Sequence, residues 1–482
     1  MKKLSLYTAV FLAITASSCK KFLEQPPDNR AELHTPEQVS RLLGTAYPQA
    51  NYMGFFESAS DNVADKGAGT IENFNVDVYK FSDVQDDQQD SPEYYWNACY
   101  TAIAAANLAL ETIANAPDPD AYRAQKGEAL LARAYAHFML VTTFAETYNP
   151  TTASSDPGIP YVTVPEKVVF KDYERKTVAY VYEMIEKDIL TGLPLIDDKS
   201  YSVPRYHFNR AAANAFAARF YLFKRDYQQV VQYVNQVFPT NNAASMLRPW
   251  NTAYKNMTYQ ELFAAYARAT EPANLLLTET ASWWGRNYYT LRYALTARKR
   301  DEILFYNVTG GDWAFQNHVY TVGTDNYLIP KINEHFVRNN VNANIGVGYV
   351  VVPLFTAEEA LLNRAEANTY LNATTAAIND LNTYASTRID DYSLSAHRIT
   401  PQKVQAFYGT NLQTGLILTV LDFKRAEFVQ EGMRWLDILR YRIPITHTTS
   451  EGDIFTLPGD DPRRLFQIPE AATVAGIEQN PR

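Results

Sequence analysis

Cysteine is nearly absent: Cys19 and Cys99 are the only two in 482 residues, too few for the disulfide framework that small exported domains rely on. Also missing is any apolar run approaching the roughly 20 residues that span a bilayer; the stretch Leu4 to Ala16 is shorter and lies at the N-terminus. Histidine is sparse and scattered. His34, His137, His207, His318, His335, His397 and His447 form no His-Glu-x-x-His pair and have no cysteine nearby, so no zinc motif is present. A phosphate-cradling glycine-lysine loop and a nucleophile-elbow pentapeptide are lacking too. Positive charge is outweighed, 44 Lys and Arg against 53 Asp and Glu, which argues against nucleic acid as a partner.

What is present begins with an export pattern. Met1-Lys2-Lys3 is a short positive segment, Leu4 to Ala16 has the length of a signal-peptide core, and Ala16-Ser17-Ser18 places small residues before Cys19. A small-residue site ending at cysteine resembles a bacterial lipoprotein signal. It predicts a signal peptide over 1–18, lipid on Cys19 and a polar tether over 19–34. Each buried lipid methylene contributes about 0.8 kcal/mol, so two or more chains hold a water-soluble body on a membrane. Losing the leader removes Lys2 and Lys3 and takes the formal balance from −9 to −11. Cys99, inside the apolar stretch Tyr94 to Tyr100, reads as a small buried hydrophobe.

Helices dominate the body. Thr35-Pro36-Glu37-Gln38 combines an N-cap hydroxyl, a proline at N1 and a glutamine at N3. Helical periodicity from about Tyr94 to Ala114, a proline-containing link, and a second helix from about Ala121 to Ala145 predict a hairpin. Similar pairs follow at Phe208–Phe223 with Tyr227–Phe238, and at Thr356–Tyr370 with a helix after Asn372. Small residues such as Ala215, Ala218, Ala365 and Ala367 allow close helix approach. The pairs resemble tetratricopeptide units, although a regular 34-residue period is absent. Gly54 to Asp90, acidic and aperiodic, reads as an excursion outside the core. Its Asp83, Asp86, Asp87 and Asp90 have no recognised calcium-loop pattern, and no metal or cofactor is expected.

Between Met257 and Gly348 the periodicity breaks again. Trp283, Trp284, Arg286, Asn287, Tyr288 and Tyr289, followed by Asp312 and Trp313, set aromatic rings beside amide, carboxylate and guanidinium groups. Those are the ingredients of sugar recognition: a ring covers the apolar C–H face of a pyranose while polar groups take its hydroxyls. The competing reading is that such rings pin long loops to the core. Near the C-terminus, Glu427 and Glu431 stand four apart, Glu431 and Arg434 three apart, and Asp437 and Arg440 three apart. On one helix this spacing stacks alternating charge along a side, with Phe428, Trp435 and Leu439 interleaved.

The sequence resembles the SusD/RagB family of nutrient-uptake lipoproteins of Bacteroidota over essentially the whole mature chain. The resemblance rests on Cys19-Lys20-Lys21-Phe22-Leu23-Glu24, on Trp96 and Tyr100 before Ile103 and Asn107, on Arg133-Ala134-Tyr135, on Leu362 through Ala367, on Glu427 through Arg440, on Leu465 to Pro469 and on Gln479-Asn480-Pro481. Lys424 departs from the glutamate the family usually carries there. The resemblance implies a mainly α, SusD-like helical fold over 35–482, with tetratricopeptide-like helix pairs and an irregular ligand-binding portion formed by insertions near 54–90 and 257–348. It further implies a lipid-anchored outer-membrane protein facing the exterior. Such a protein works with a SusC-like TonB-dependent transporter, passing it a polysaccharide or oligosaccharide or, in some relatives, a peptide. It implies no catalysis, and it assigns Trp96 to the core of the first hairpin. A helical adhesin and a glycan-cleaving enzyme, which needs only two carboxylates, are the alternatives.

Overall fold

The computed structural model describes residues 33–482 apart from 169–170, 241, 339 and 342; the signal peptide, Cys19 and most of the tether lie outside the described residues. The capping box is present: the Thr35 hydroxyl accepts from Gln38 N, and the Gln38 side chain accepts from Thr35 N. The first hairpin pairs Pro92–Ala114 with Arg123–Phe144. Ser91 caps the first helix by accepting from Tyr94 N at 3.1 Å, and Pro92 occupies a position where no N–H is needed. Alanines line the contact, so the two backbones approach closely. A third helix, Val178–Gly192, crosses where Gly127 meets Gly192: a Cβ on either would lie 2.9 Å from the other's carbonyl oxygen. The buried Arg133 joins all three helices, reaching Asp188 on both oxygens at 2.7 and 2.8 Å and Asn107 at 2.9 Å.

Further pairs are Arg210–Lys224 with Tyr227–Val237, and Ala357–Tyr370 with Thr374–Arg388. Arg225 takes the left-handed conformation (φ 64°) that ends one helix, and Asp226 caps the next by accepting from Gln229 N. A three-stranded antiparallel sheet sits against this scaffold. Gly346–Thr356 is its central strand, with Asn274–Ala281 on one side and Glu334–Arg338 on the other, and it runs directly into the Ala357–Tyr370 helix.

Two sequence expectations are corrected. Gly54 to Asp90 is an excursion only in part: Met53–Ala59 is a helix with every residue buried and Asn73–Tyr79 is a second helix, while 67–71 and 82–89 are irregular and largely exposed. Phe55 and Phe56 are fully enclosed. Residues 424–440 are not one helix either. The Leu412–Glu427 helix ends, Gln430 (φ 69°) and Gly432 (φ 74°) turn the chain, and Met433–Tyr441 starts anew. A Cβ on Gly432 would meet Met53 Cα and Phe56 Cβ at 3.0 Å, so glycine lets the turn seat against the Met53–Ala59 helix. The buried Glu57 carboxylate holds it there, accepting from Gln430 N at 2.9 Å and Gly432 N at 3.0 Å.

The turn sends the motif charges to distant partners. Glu427 binds Arg388 at 2.8 Å, and Arg388 also binds Glu358, which in turn binds Arg248. Glu431 pairs with Lys331 at 2.9 Å and accepts from the Tyr266 hydroxyl at 2.7 Å. Arg434 pairs with Asp61 at 2.8 Å, not with Glu431. Asp437 and Arg440 do meet, at 3.1 Å, and Arg440 and Lys424 both reach the buried Glu366. Lys424 is therefore a paired cation inside the core. Such groups cost heavily if one partner is lost, and they fix how the helix pairs register against one another.

Candidate functional site

The aromatic cluster expected from 283–313 divides into buried and accessible rings. Trp284 is 2% exposed and its Nε1 donates to Gln430 O at 3.0 Å. Tyr288 is equally buried and its hydroxyl donates to Ile329 O at 3.1 Å. Both polar tips are thus satisfied by core carbonyls, which makes these side chains supports rather than ligand contacts. Trp313 is 1% exposed, stacks on Phe315 at 5.1 Å and bridges to Ile389. Its neighbour Asp312 is exposed, but the pair belongs to the Thr374–Arg388 side of the scaffold. The expectation that Trp284, Tyr288 and Trp313 face a ligand is corrected by this burial.

Trp283 differs from the other five tryptophans. Trp96, Trp250, Trp284, Trp313 and Trp435 are all 5% exposed or less, whereas Trp283 is only half-buried. Trp96 lies in the first hairpin, edge-on to Phe144 at 4.9 Å. Asp90 fixes the backbone of Trp283. Its Oδ2 accepts from Trp283 N at 2.8 Å, and its Oδ1 accepts from the Ser282 hydroxyl at 2.5 Å. Burial pushes the Asp90 carboxyl up to about 7, against the lowering effect of those two bonds. Ser282 N donates to Gly348 O and Ala281 pairs with Tyr349, so Trp283 follows directly on the end of the Asn274–Ala281 strand.

Polar and aromatic groups lie on the neighbouring strands. The Tyr349 ring stacks with His335 at 5.9 Å, and His335 bonds Glu279 at 2.7 Å. Tyr94, at the start of the first hairpin, is half-buried; its hydroxyl is raised by burial first and then by Tyr349 and Asp90. Arg286 is exposed and makes a two-pronged pair with Glu334, its guanidinium 5.9 Å from the exposed Phe336 ring. Among the described residues the Asn287 side chain makes no hydrogen bond, so its amide is free for a ligand hydroxyl. Tyr289 points elsewhere: half-buried against Tyr288, its carbonyl takes the Lys66 ammonium at 3.0 Å. Burial lowers Lys66 to about 8.

Tyr94, Glu279, His335 and Tyr349 were not singled out from the sequence. Tyr349 could have been: Val347, Tyr349 and Val351 alternate along Gly346–Thr356 with the more deeply buried Gly348, Val350 and Val352. Among the described residues no group of three or more His, Cys, Asp or Glu could hold a metal ion. No helix among them is long and apolar enough to cross a membrane.

A mainly α scaffold of paired helices thus carries an antiparallel sheet with aromatic and polar side chains at one end. The chain belongs to the SusD/RagB family. Residues 21–222 match the family described as starch-binding, associating with the outer membrane, and residues 226–469 match the SusD family. No curated protein matches the chain. Among solved structures, a SusD superfamily protein from Bacteroides thetaiotaomicron VPI-5482 is 18% identical with a TM-score of 0.68, covering 93% of this chain and 100% of its own. A putative sugar binding protein from Bacteroides vulgatus ATCC 8482 is 19% identical with a TM-score of 0.71, covering 94% and 99%. A SusD-like carbohydrate binding protein from the same organism is 16% identical with a TM-score of 0.65, covering 92% and 96%.

Proposed function

We propose that the chain is a lipid-anchored glycan-binding protein of the outer membrane, facing the exterior, that captures a polysaccharide or oligosaccharide and delivers it to a SusC-like TonB-dependent transporter. Residues 1–18 act as the export signal, Cys19 carries the lipid, 19–34 is the tether and 35–482 binds. The half-buried Trp283 carries this reading, because five of six tryptophans are core and the backbone of this one is held by a buried carboxylate. In this reading Trp283 offers the stacking ring, Tyr94 and Tyr349 are further aromatic candidates, and Arg286, Asn287 and Glu334 serve as hydroxyl partners. The family membership and the sugar-binding descriptions of two neighbours support a saccharide over a peptide. The test is an array carrying glycans and peptides, followed by calorimetric titration of whatever is retained. A glycan whose affinity falls at least about thirtyfold in Trp283→Ala supports the proposal, that being the effect of a hot-spot ring worth about 2 kcal/mol. Retention of peptides alone, or unchanged affinity in the variant, refutes it.

A further inference from the structure

A pocket of about 1040 Å³ opens beside the Pro36–Leu43 helix and shares no lining residue with the Trp283 face. Its walls come from Pro36–Gly44, from the start of the Arg123–Phe144 helix, from Pro194–Tyr201 and from His207 and Arg210. Three arginines reach it, and they are not equivalent. Arg41 is already neutralised by Glu37 at 2.5 Å. Arg123 and Arg210, both exposed, have no carboxylate within salt-bridge distance among the described residues. Each instead places one Nη2 on a carbonyl of the same wall, Arg123 on Pro194 O and Arg210 on Ile196 O, both at 3.2 Å. One N–H of each fork orients the group and the rest stay free. An arginine fork held in this way matches the oxygens of a carboxylate or sulfate.

The remaining lining mixes apolar residues such as Pro36, Leu195 and Ile196 with polar ones. Ser40 accepts from Gln125 Nε2 at 3.0 Å, and Ser200 and Ser202 add hydroxyls. The Tyr201 ring stacks on His207 at 4.1 Å. Behind them the fully buried Glu128 accepts from the Tyr47 hydroxyl at 2.7 Å and bonds His207 Nδ1 at 2.8 Å, which fixes that imidazole. The rim also carries carboxylates: Asp197 lines the pocket and accepts from Lys199 N, and Asp198 accepts from Arg210 N, backbone bonds that orient both groups and leave their charge in place. On a chain of net charge −9, two guanidiniums that reach one pocket and are not held in an ion pair offer an oxyanion their remaining N–H groups.

We propose that this pocket is a second ligand site that takes an anionic saccharide, its carboxylate or sulfate met by Arg123 and Arg210 and its hydroxyls by the serines and Gln125. Uronates and sulfate esters offer the same chemistry, so both are tested. Titrations use tetragalacturonate, a sulfated galactose tetramer, neutral galactotetraose and inorganic sulfate, at low and high salt. The expected result is binding of one or both acidic tetramers at least about tenfold more tightly than the neutral one, weakening with salt. The double substitution Arg123→Gln with Arg210→Gln should lower that affinity at least about tenfold, and the double lysine variant should recover part of it. Unfolding midpoints confirm that these exposed positions leave the fold intact, and Trp283→Ala should leave acidic binding unchanged. Equal binding of the neutral tetramer, binding of sulfate alone, no binding at all, or full affinity in the glutamine variant overturns the proposal. Loss of acidic binding in Trp283→Ala moves that ligand to the aromatic face and overturns it as well, whereas failure of the Trp283 reading leaves these arms untouched.

Discussion

The Ser282 hydroxyl donates to the buried carboxylate of Asp90 at 2.5 Å, and the next residue, Trp283, donates its backbone N–H to the other oxygen of the same group. One carboxylate thus sets the position of the single tryptophan that keeps access to solvent. The arrangement ties a loop before the first hairpin to the end of a strand 192 residues away.

That link carries a pH dependence. Asp90 and Glu57 are both raised by burial to about 7, above the unfolded values of about 3.9 and 4.3. Between those limits the native state holds protons that the unfolded chain has released. Their contribution to stability is therefore complete below about pH 4 and is lost as pH rises through about 7. In Asp90→Asn the amide oxygen still accepts from Trp283 N, and the NH2 donates to Ser282, whose hydroxyl can rotate to accept. Unfolding midpoints of this variant should fall less steeply from pH 4 to 8 than those of the parent. An unchanged slope would show that Asp90 is ionised throughout.

The buried charges predict which pairs couple. Removing the Glu431 carboxylate strands Lys331 and the Tyr266 hydroxyl in the core and should cost about 3–5 kcal/mol. Arg434→Ala leaves Asp61, whose side chain keeps 23% exposure and has Arg425 at 3.6 Å, and should cost about 1–3 kcal/mol. In double-mutant cycles by chemical denaturation, Glu431 with Lys331 should couple by more than about 1 kcal/mol, and Glu431 with Arg434 by less than about 0.5. The reverse order would restore the single-helix reading of this segment.

The same segment marks the limit of the sequence. Helix caps are written locally, so the Thr35 box and the hairpin boundaries were readable within a residue or two. Nothing in the apolar spacing of 424–440 shows that Gln430 adopts a positive φ, because that conformation is imposed by Glu57, 373 residues away. Gly432 was the available sign. Ring burial failed for a related reason: Trp284 and Tyr288 look like surface aromatics until Gln430 O and Ile329 O are brought to their polar tips. The Gly346–Thr356 strand is legible in its alternation, yet most of it falls between the irregular portion near 257–348 and the helix expected from Thr356.

Anchoring is tested at Cys19. Because Ala16-Ser17-Ser18-Cys19 has the form of a lipoprotein cleavage site, Cys19→Ser should release a folded protein from the membrane fraction. Retention of the variant in cells lacking the proposed SusC-like transporter would count against lipid attachment.

The final prediction separates the two neighbouring tryptophans by what each holds. Trp284 is enclosed and its indole N–H satisfies a buried carbonyl, so Trp284→Ala opens a cavity and orphans Gln430 O, for about 3–5 kcal/mol of stability. Trp283 is half-buried and is tied down through its backbone, which alanine retains. Trp283→Ala should therefore cost under about 1.5 kcal/mol in unfolding while weakening glycan binding by about 2 kcal/mol, and Trp283→Phe should restore part of the affinity because a flat ring is kept. The informative quantity is the ratio of the two effects in each variant. A Trp283→Ala protein that loses stability and affinity together, as Trp284→Ala should, would mean that this half-buried ring is structural and that saccharide binding belongs to another face of the molecule.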